Sequence, residues 1–420
     1  MKKNVLVFPC GSEIGLEVHN SLRFVKDIEL IGASSVDDHG MYVYQDYVGD
    51  MPNVDSDKFI EKMEALVISR NVDFIMPAHD SVVSKLSQNR SKFSAKVVTS
   101  SNEICEIARS KSQTYEKLKS AVNTPEVFTK QDILEYPVFL KPDVGQGSKG
   151  VMRAESDRQV NEALRKDPSL LVLEYLPGDE YTVDCFTDRH GKLLYAEART
   201  RQRVTNGISV NSRAISGVEF KQFADRINDR LKFRGVWFFQ VKRDRHMELT
   251  LLEIAPRVAG TMSLSRIRGV NLPLLSIYDA MDIDVGVLKN DFCVEVDRAL
   301  NSVYKIDIRF DKVYIDFDDT IIIGDRLNYL IISLLFKFKQ DNKQLALITR
   351  HTEVVEDTLA EYNLSINLFD EIIHITNCRP KSEHIRANSI FIDDSYAERK
   401  EVLESTGVPV FDVGEAIAML

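Results

Sequence analysis

The sequence predicts a multidomain α/β protein, and three observations carry that expectation. Short β-forming runs alternate with helical patterns over residues 1 to about 108. An apolar run, Val138-Phe139-Leu140, delivers Lys141 into a loop with glycines at 145, 147 and 150. Near residue 306 the strand–helix pattern restarts around Val313-Tyr314-Ile315-Asp316. Alternation of this kind implies a parallel sheet with helices on both faces. The chain of 420 residues has room for two to four domains, and its 44% hydrophobic and 28% charged residues are ordinary for a soluble globular protein. A net charge of −10 argues against nucleic acid as the main partner. Five scattered cysteines without a CxxC pair fit a reducing compartment, and eight histidines show no metal-binding spacing. Lys2-Lys3 precede only Val5–Phe8, too little for a signal core, and the longest later apolar run, Tyr329 to Phe336, is far short of a membrane span. A cytoplasmic protein with no membrane partner is expected.

In chain order, Val5–Phe8 reads as the first strand, followed by Gly11-Ser-Glu-Ile-Gly15 and an amphipathic helix. The two glycines lack the GxGxxG pattern, so they read as close strand–helix packing rather than a phosphate-binding turn. Further strands are expected at Glu29–Gly32, Val72–Met76 and Lys96–Thr99, with helices at Ser56–Arg70, after Asp80 and from Ser100, where Glu103 gives a capping-box spacing. Asp80 sits just after a strand, where open sheets place ligands, but the structural reading, an N-cap, is the one favoured. The loop after Lys141 offers many backbone N–H groups and little bulk, which suits polyphosphate. A hairpin without any ligand fits the same residues.

Downstream, a helix is expected at Lys111–Ala121 and another after Ser156. Glu174 and Glu180 bracket a Pro-Gly turn, as nucleotide-facing acids or as solvated ones. Arg199, Arg201 and Arg203 fall on one alternating face of a strand, forming either an anion-binding row or an ordinary charged face. Gly235–Val241 and Leu249–Ile254 are buried-strand patterns broken by one polar residue each, Gln240 and Glu253, with Arg257 four positions on. A lone acid in an apolar strand has to be paired or bound to metal.

With these residues in place, positions 1 to about 304 resemble the ATP-grasp superfamily, most closely its carbamoyl-phosphate synthase large chain-like branch. The resemblance implies a Rossmann-like pre-ATP-grasp domain (1–108) and an α+β ATP-grasp domain (109–304). It places Lys111 and Lys141 on ATP and matches Pro142–Gly150, including Gly145, Gly147 and Ser148, to the family's glycine loop. Glu174 then serves adenine or ribose and Glu180 is the later GxE acid. Gln240 and Glu253 are the Mg2+ ligands and Arg257 stabilises the phosphoryl group. Arg201, with Arg199 and Arg203, faces the substrate. The chain departs from the family's ExNPR pattern at Ala255, which removes one oxygen ligand. The implied chemistry is activation of a carboxylate by ATP as an acyl phosphate, followed by attack of an amine.

The last segment, 305–420, carries strand ends with Asp316-Phe317-Asp318, Thr349 and Asp393-Asp394, and Lys381 between the latter two. Polar groups at the C-terminal edge of a parallel sheet form an active-site arrangement. The four motifs resemble the haloacid-dehalogenase (HAD) superfamily. The resemblance implies a Rossmannoid sheet with Asp316 as nucleophile, Asp318 as general acid/base, and Thr349 and Lys381 on the phosphoryl group. Mg2+, or Mn2+ in its place, falls to Asp316, Asp318, Asp393 and Asp394. Only about 25 residues separate the first two motifs and about 30 separate Thr349 from Lys381, so no large cap fits and the site is expected to be open or covered by the rest of the protein. The joint near Asn301–Asp311 lacks a flexible composition, from which close docking of the domains is expected. The whole reads as a ligase acting on small-molecule carboxylate and amine substrates, fused to a phosphatase acting on a phosphorylated metabolite, with a homodimer as an expected assembly. A nucleotide-binding module serving the phosphatase is the rival reading, motivated by Ala255.

Overall fold

The computed structural model describes every residue except Met1, Gln146, Ser148, Asn206 and Cys378, and it divides into two compact units, Met1–Leu300 and Asn301–Leu420. No described helix is long and apolar enough to cross a membrane.

The first unit opens with five parallel strands, β1 (Lys3–Phe8), β2 (Ile28–Ala33), β3 (Asp46–Val48), β4 (Phe74–Pro77) and β5 (Lys96–Val97), in the order β3-β2-β1-β4-β5. Alternation along β1 sends Leu6 and Phe8 into one apolar cluster with Phe59 and Met63. Val5 and Val7 enter another cluster, which also contains Phe186, Phe238 and Ala255. The first hundred residues therefore share a core with the rest of this unit and do not stand apart from it. The helix Glu13–Leu22 is capped by Ser12, whose hydroxyl accepts from Gly15 N, and a Cβ on Gly15 would lie 2.3 Å from the Cys10 carbonyl oxygen. The glycines here serve close packing, as the missing GxGxxG pattern indicates.

A four-stranded antiparallel sheet follows, formed by β6 (Val127–Phe128), β7 (Val138–Pro142), β8 (Met152–Ala154) and β9 (Leu170–Glu174) in the order β6-β9-β7-β8. The remaining strands are β10 (Glu180–Thr187), β11 (Leu193–Thr200), β12 (Arg203–Thr205), β13 (Ile208–Ile215), β14 (Gly235–Arg243), β15 (Leu249–Ala255) and β16 (Glu295–Asp297). They run β12-β13-β11-β10-β14-β15, with β16 beside β13. The helix Val218–Leu231 covers this sheet through Phe223 and Ile227, which join Trp237, Phe239 and Leu251 in one cluster.

The second unit holds β17 (Lys312–Ile315), a small hairpin of β18 (Ile322–Ile323) and β19 (Arg326–Leu327), then β20 (Gln344–Thr349), β21 (Glu371–His374), β22 (Ser389–Ile392) and β23 (Val410–Phe411). Its parallel sheet has the order β21-β20-β17-β22-β23. The hairpin and the start of the helix Tyr329–Gln340 fill the interval between β17 and β20, which leaves no space for a cap domain there.

Three sequence readings are corrected. The helix expected from Ser100 is Asn102–Arg109, capped by Ser101 through Ile104 N, because the Ser100 hydroxyl is taken by the backbone of Arg234. Asp80 is the first helical residue rather than a cap, and its carboxylate serves Arg257 instead. The arginines at 199, 201 and 203 do not share one strand face, since β11 ends at Thr200 and β12 begins at Arg203. The packing at Gly15 yields a direct test. Replacing Gly15 by Ala should cost about 1–3 kcal/mol through overpacking against the β1–helix corner. Urea unfolding would show it, and an unchanged midpoint would refute the close packing.

Candidate functional site

In the first unit β7 carries Lys141 into the interior, where its ammonium donates to the Leu252 carbonyl at 3.1 Å and lies 5.5 Å from the Tyr115 ring centroid. Burial lowers its pKa to about 8; Glu253 opposes that shift and Lys111 adds to it. Lys111 is buried at the start of the helix Lys111–Leu118 and donates to the Asp143 carbonyl at 3.3 Å. Asp143, which the sequence reading passed over, ties the glycine loop to that helix. Its carboxylate accepts from Ser110 Oγ at 2.8 Å and from Ser112 N at 2.7 Å. Within the loop, Gly147 and Gly150 have φ values of 62° and 73°, a backbone that side chains disfavour. Ser148 lies outside the described residues.

A cavity of about 280 Å³ opens here, lined by apolar Phe139, Val151, Leu173 and Leu176 and by Lys111, Lys141, Gly145, Gly147, Glu174, Glu180 and Glu253. Gln240 of β14 stands directly opposite Glu253 of β15 in the antiparallel register, and both line the cavity. Glu174 closes β9, and Glu180 opens β10 and pairs with Arg201 at 2.7 Å. A carboxylate and an amide oxygen facing each other suit a hard cation. Ala255 adds no oxygen, being held in the apolar cluster and opposite Phe238.

A second cavity of about 390 Å³ shares Lys111, Arg201, Gln240 and Glu253 with the first and is further lined by Ser12, Glu13, Asp80, Arg109, Arg257 and Arg298. Arg257 grips Asp80 through two bonds, 2.5 and 2.7 Å, and lies 5.0 Å from the Phe238 ring centroid. Burial works against the Asp80 carboxylate, yet Arg257 holds it below the usual carboxylate range. Arg298 pairs with Glu13 at 2.9 Å. Of the three arginines expected on substrate, Arg201 borders both cavities. Arg199 borders the second but is committed to Asp184, at 3.0 and 3.1 Å, and to Thr261. Arg203 points elsewhere, pairing with exposed Asp297.

In the second unit, Asp316 follows β17, Thr349 ends β20 and Asp393 follows β22, so three neighbouring parallel strands place them at one sheet edge. Lys381, at the start of a short 3-10 turn, donates to Asp316 Oδ1 at 2.6 Å and to Asp393 Oδ2 at 2.7 Å. Burial pushes Asp316 up to about 7, with Lys381 opposing and the charge of Asp393 adding. Among the described residues, Asp316, Asp393 and Asp394 form the one carboxylate group able to share a cation, their ligand oxygens within 4.8 Å of one another. Such an all-oxygen set fits Mg2+. Asp318 is not in this group, contrary to its assignment as a ligand, because its carboxylate is turned to His351 Nδ1, at 2.9 and 3.1 Å. Thr349 Oγ1 accepts from His351 N at 3.0 Å.

A family model described as ATP-grasp in the biosynthetic pathway with Ter operon matches residues 166–298. The arginine-specific large chain of carbamoyl phosphate synthase from Bacillus subtilis (strain 168) is 26% identical over 163 residues, which is 36% of this chain and 16% of that protein. Among solved structures, the biotin carboxylase domain dimer of Hydrogenobacter thermophilus 2-oxoglutarate carboxylase, complexed with MgADP and bicarbonate, aligns with a TM-score of 0.58 and 16% identity over 69% of this chain and 72% of that one. Biotin carboxylase from Campylobacter jejuni aligns with a TM-score of 0.57 and 14% identity over 68% and 72%. N5-carboxyaminoimidazole synthetase from Staphylococcus aureus, complexed with ADP, gives 0.55 and 15% over 69% and 80%. Over about two-thirds of its length the chain carries an ATP-grasp-like fold. The family match ends at residue 298, before the second unit begins.

The Asp80–Arg257 pair makes a stability prediction. Asp80→Ala leaves a guanidinium buried without its partner and should cost about 2–3 kcal/mol, whereas Asp80→Ala with Arg257→Ala should cost no more than the single change. Denaturant titration of the three proteins decides it, and simple additivity would contradict the pairing.

Proposed function

We propose that the chain is a bifunctional enzyme, an ATP-dependent carboxylate–amine ligase joined to a phosphomonoesterase. The observation that carries the ligase half is the joining of the two cavities through Lys111, Arg201, Gln240 and Glu253. The smaller cavity combines apolar walls with two lysines and a glycine loop, a fit for a nucleoside triphosphate. Its neighbour combines several arginines with room for an anionic acid. In this reading Lys111 and Lys141 take the phosphates and Glu174 and Glu180 the sugar or base. Mg2+, held by Glu253 and Gln240 together with the phosphates, would neutralise charge on the phosphoryl being transferred. Arg257, fixed by Asp80, faces that phosphoryl, while Arg201 and Arg298 receive the carboxylate. Attack of the carboxylate gives an acyl phosphate and ADP, and an amine then displaces phosphate.

The second unit supports a phosphatase. Asp316 attacks phosphorus, Lys381 and Thr349 hold the phosphoryl oxygens, and Asp318 gives its proton to the leaving oxygen. Water then opens the aspartyl phosphate with Asp318 as base. Mg2+ on Asp316, Asp393 and Asp394 would screen charge between nucleophile and phosphate. The reading favours a phosphorylated precursor or product of the ligase as the shared intermediate.

A second reading, a nucleotide-binding module that serves the phosphatase, is favoured by Ala255 alone. ADP release from MgATP across a carboxylate and amine panel separates the two. The protein would carry Asp316→Asn to silence the phosphatase, with Lys141→Ala as blank. Ligation predicts carboxylate-dependent ADP that vanishes in the Lys141 variant. Tight ATP binding without turnover would favour the module instead.

Lys141 adds a pH prediction. Its folded pKa is lowered, so without ligand its charged form is disfavoured and destabilises the protein at low pH, and that penalty fades as pH rises from about 8 toward the ordinary lysine value. Phosphate oxygens should restore the charge. Calorimetry in buffers of different ionisation heat should therefore show proton uptake on ATP binding at about pH 9 and almost none at about pH 6.5. Equal uptake at both, or uptake that persists in Lys141→Met, would contradict this role.

A further inference from the structure

The second unit contains a histidine that neither its motifs nor its carboxylate cluster accounts for. His351 lies two residues past the end of β20, its side chain only 13% exposed, and its Nδ1 reaches both oxygens of Asp318, at 2.9 and 3.1 Å. The residue is itself held at three points. Nε2 lies 2.9 Å from Thr358 Oγ1, the ring meets Phe317 edge-on with centroids 5.2 Å apart, and the His351 backbone accepts from His374 Nε2 at 2.7 Å. Asp318, by contrast, bridges to Ile322 at the head of a tight turn, with its side chain about half exposed, and is followed by Asp319 in the left-handed region at φ 53°. An exposed aspartate on such a turn would ordinarily sample several rotamers. His351 removes that freedom by joining the loop after β17 to the loop after β20. An ionised carboxylate can only accept hydrogen bonds, so Nδ1 carries the proton in this contact.

We infer that His351 is a positioning residue for Asp318, which it fixes as the proton donor to the leaving group and then as the base that activates water. This rests on the phosphatase reading of the second unit. In the first step the Asp316 oxygen forms a bond to phosphorus, the phosphorus–ester oxygen bond breaks, and the Asp318 carboxyl proton passes to the departing alkoxide. In the second step water attacks phosphorus, the Asp316–phosphorus bond breaks, and Asp318 takes the water proton, which restores both carboxyl groups. His351 donates to Asp318 throughout and exchanges no proton with substrate. A misplaced acid matters in proportion to how badly the leaving oxygen needs a proton. The cost of losing His351 must therefore depend on the leaving group.

The test compares an alkyl phosphate with 2,4-dinitrophenyl phosphate, whose phenolate departs unaided, in the full-length protein. His351→Ala should slow leaving-group release in the first turnover, before the shared aspartyl-phosphate hydrolysis, by about 100-fold on the alkyl ester while leaving the dinitrophenyl ester within about threefold. His351→Asn, which can offer an N–H at the place of Nδ1, should recover most of the alkyl activity, and His351→Gln less. Equal losses on both esters, or no loss on either, would overturn the assignment, as would an Asn variant no better than Ala. The Asp316→Asn control separates this failure from a deeper one. If the unaltered protein hydrolyses neither ester by an Asp316-dependent route, the phosphatase reading itself falls and takes His351's role with it.

Discussion

Each candidate site depends on a lysine ammonium taken out of water. Desolvating a cation is expensive unless oxygen atoms replace its hydration. The two units meet that demand differently. Lys141 has one carbonyl, a ring face and a more distant Glu253, which leaves its charge under-compensated and its pKa lowered. A group so placed is ready for an incoming polyanion. Lys381 lies between two carboxylates, and its charge is fully met with its pKa raised. It serves to keep Asp316 and Asp393 side by side where they would otherwise repel. The first lysine thus keeps a charge that its neighbours only partly meet, while the second is held between two carboxylates.

The positions of these groups follow from strand register. Gln240 and Glu253 face each other because β14 and β15 are antiparallel neighbours, and the residues flanking each of them are apolar. Asp316, Thr349 and Asp393 share an edge because β20, β17 and β22 are parallel neighbours that end at the same side of the sheet. The shared core between the opening sheet and the later strands has a structural consequence. It brings Asp80, on a helix after β4, to Arg257 just past β15.

Much of this was legible from sequence because isolated polar residues in apolar strands announce themselves. Glu253, Gln240, Lys141, Asp316 and Asp393 all stand out in that way. What stayed hidden were partners distant in the chain. Asp80 and Arg257 are 177 residues apart, and Asp80 alone looks like a cap. Asp318 and His351 are 33 apart, and only the two-residue step from Thr349 hinted that His351 returns to the same edge. The arginine row misled for a related reason. Alternation gives the face of a residue only while the strand continues, and this strand stops at Thr200. Arg199 then spends its charge on Asp184 of the neighbouring strand and Arg203 on Asp297, so Arg201 remains as the arginine bordering both cavities.

The central claim is that a carboxylate oxygen attacks the terminal phosphorus of ATP at the join of the two cavities. Isotope transfer tests it most directly. A carboxylate that supports turnover would be labelled with 18O and consumed with MgATP and an amine in the Asp316→Asn protein. Formation of an acyl phosphate predicts one labelled oxygen in each inorganic phosphate released, alongside ADP. Unlabelled phosphate, or label appearing in AMP, would contradict it.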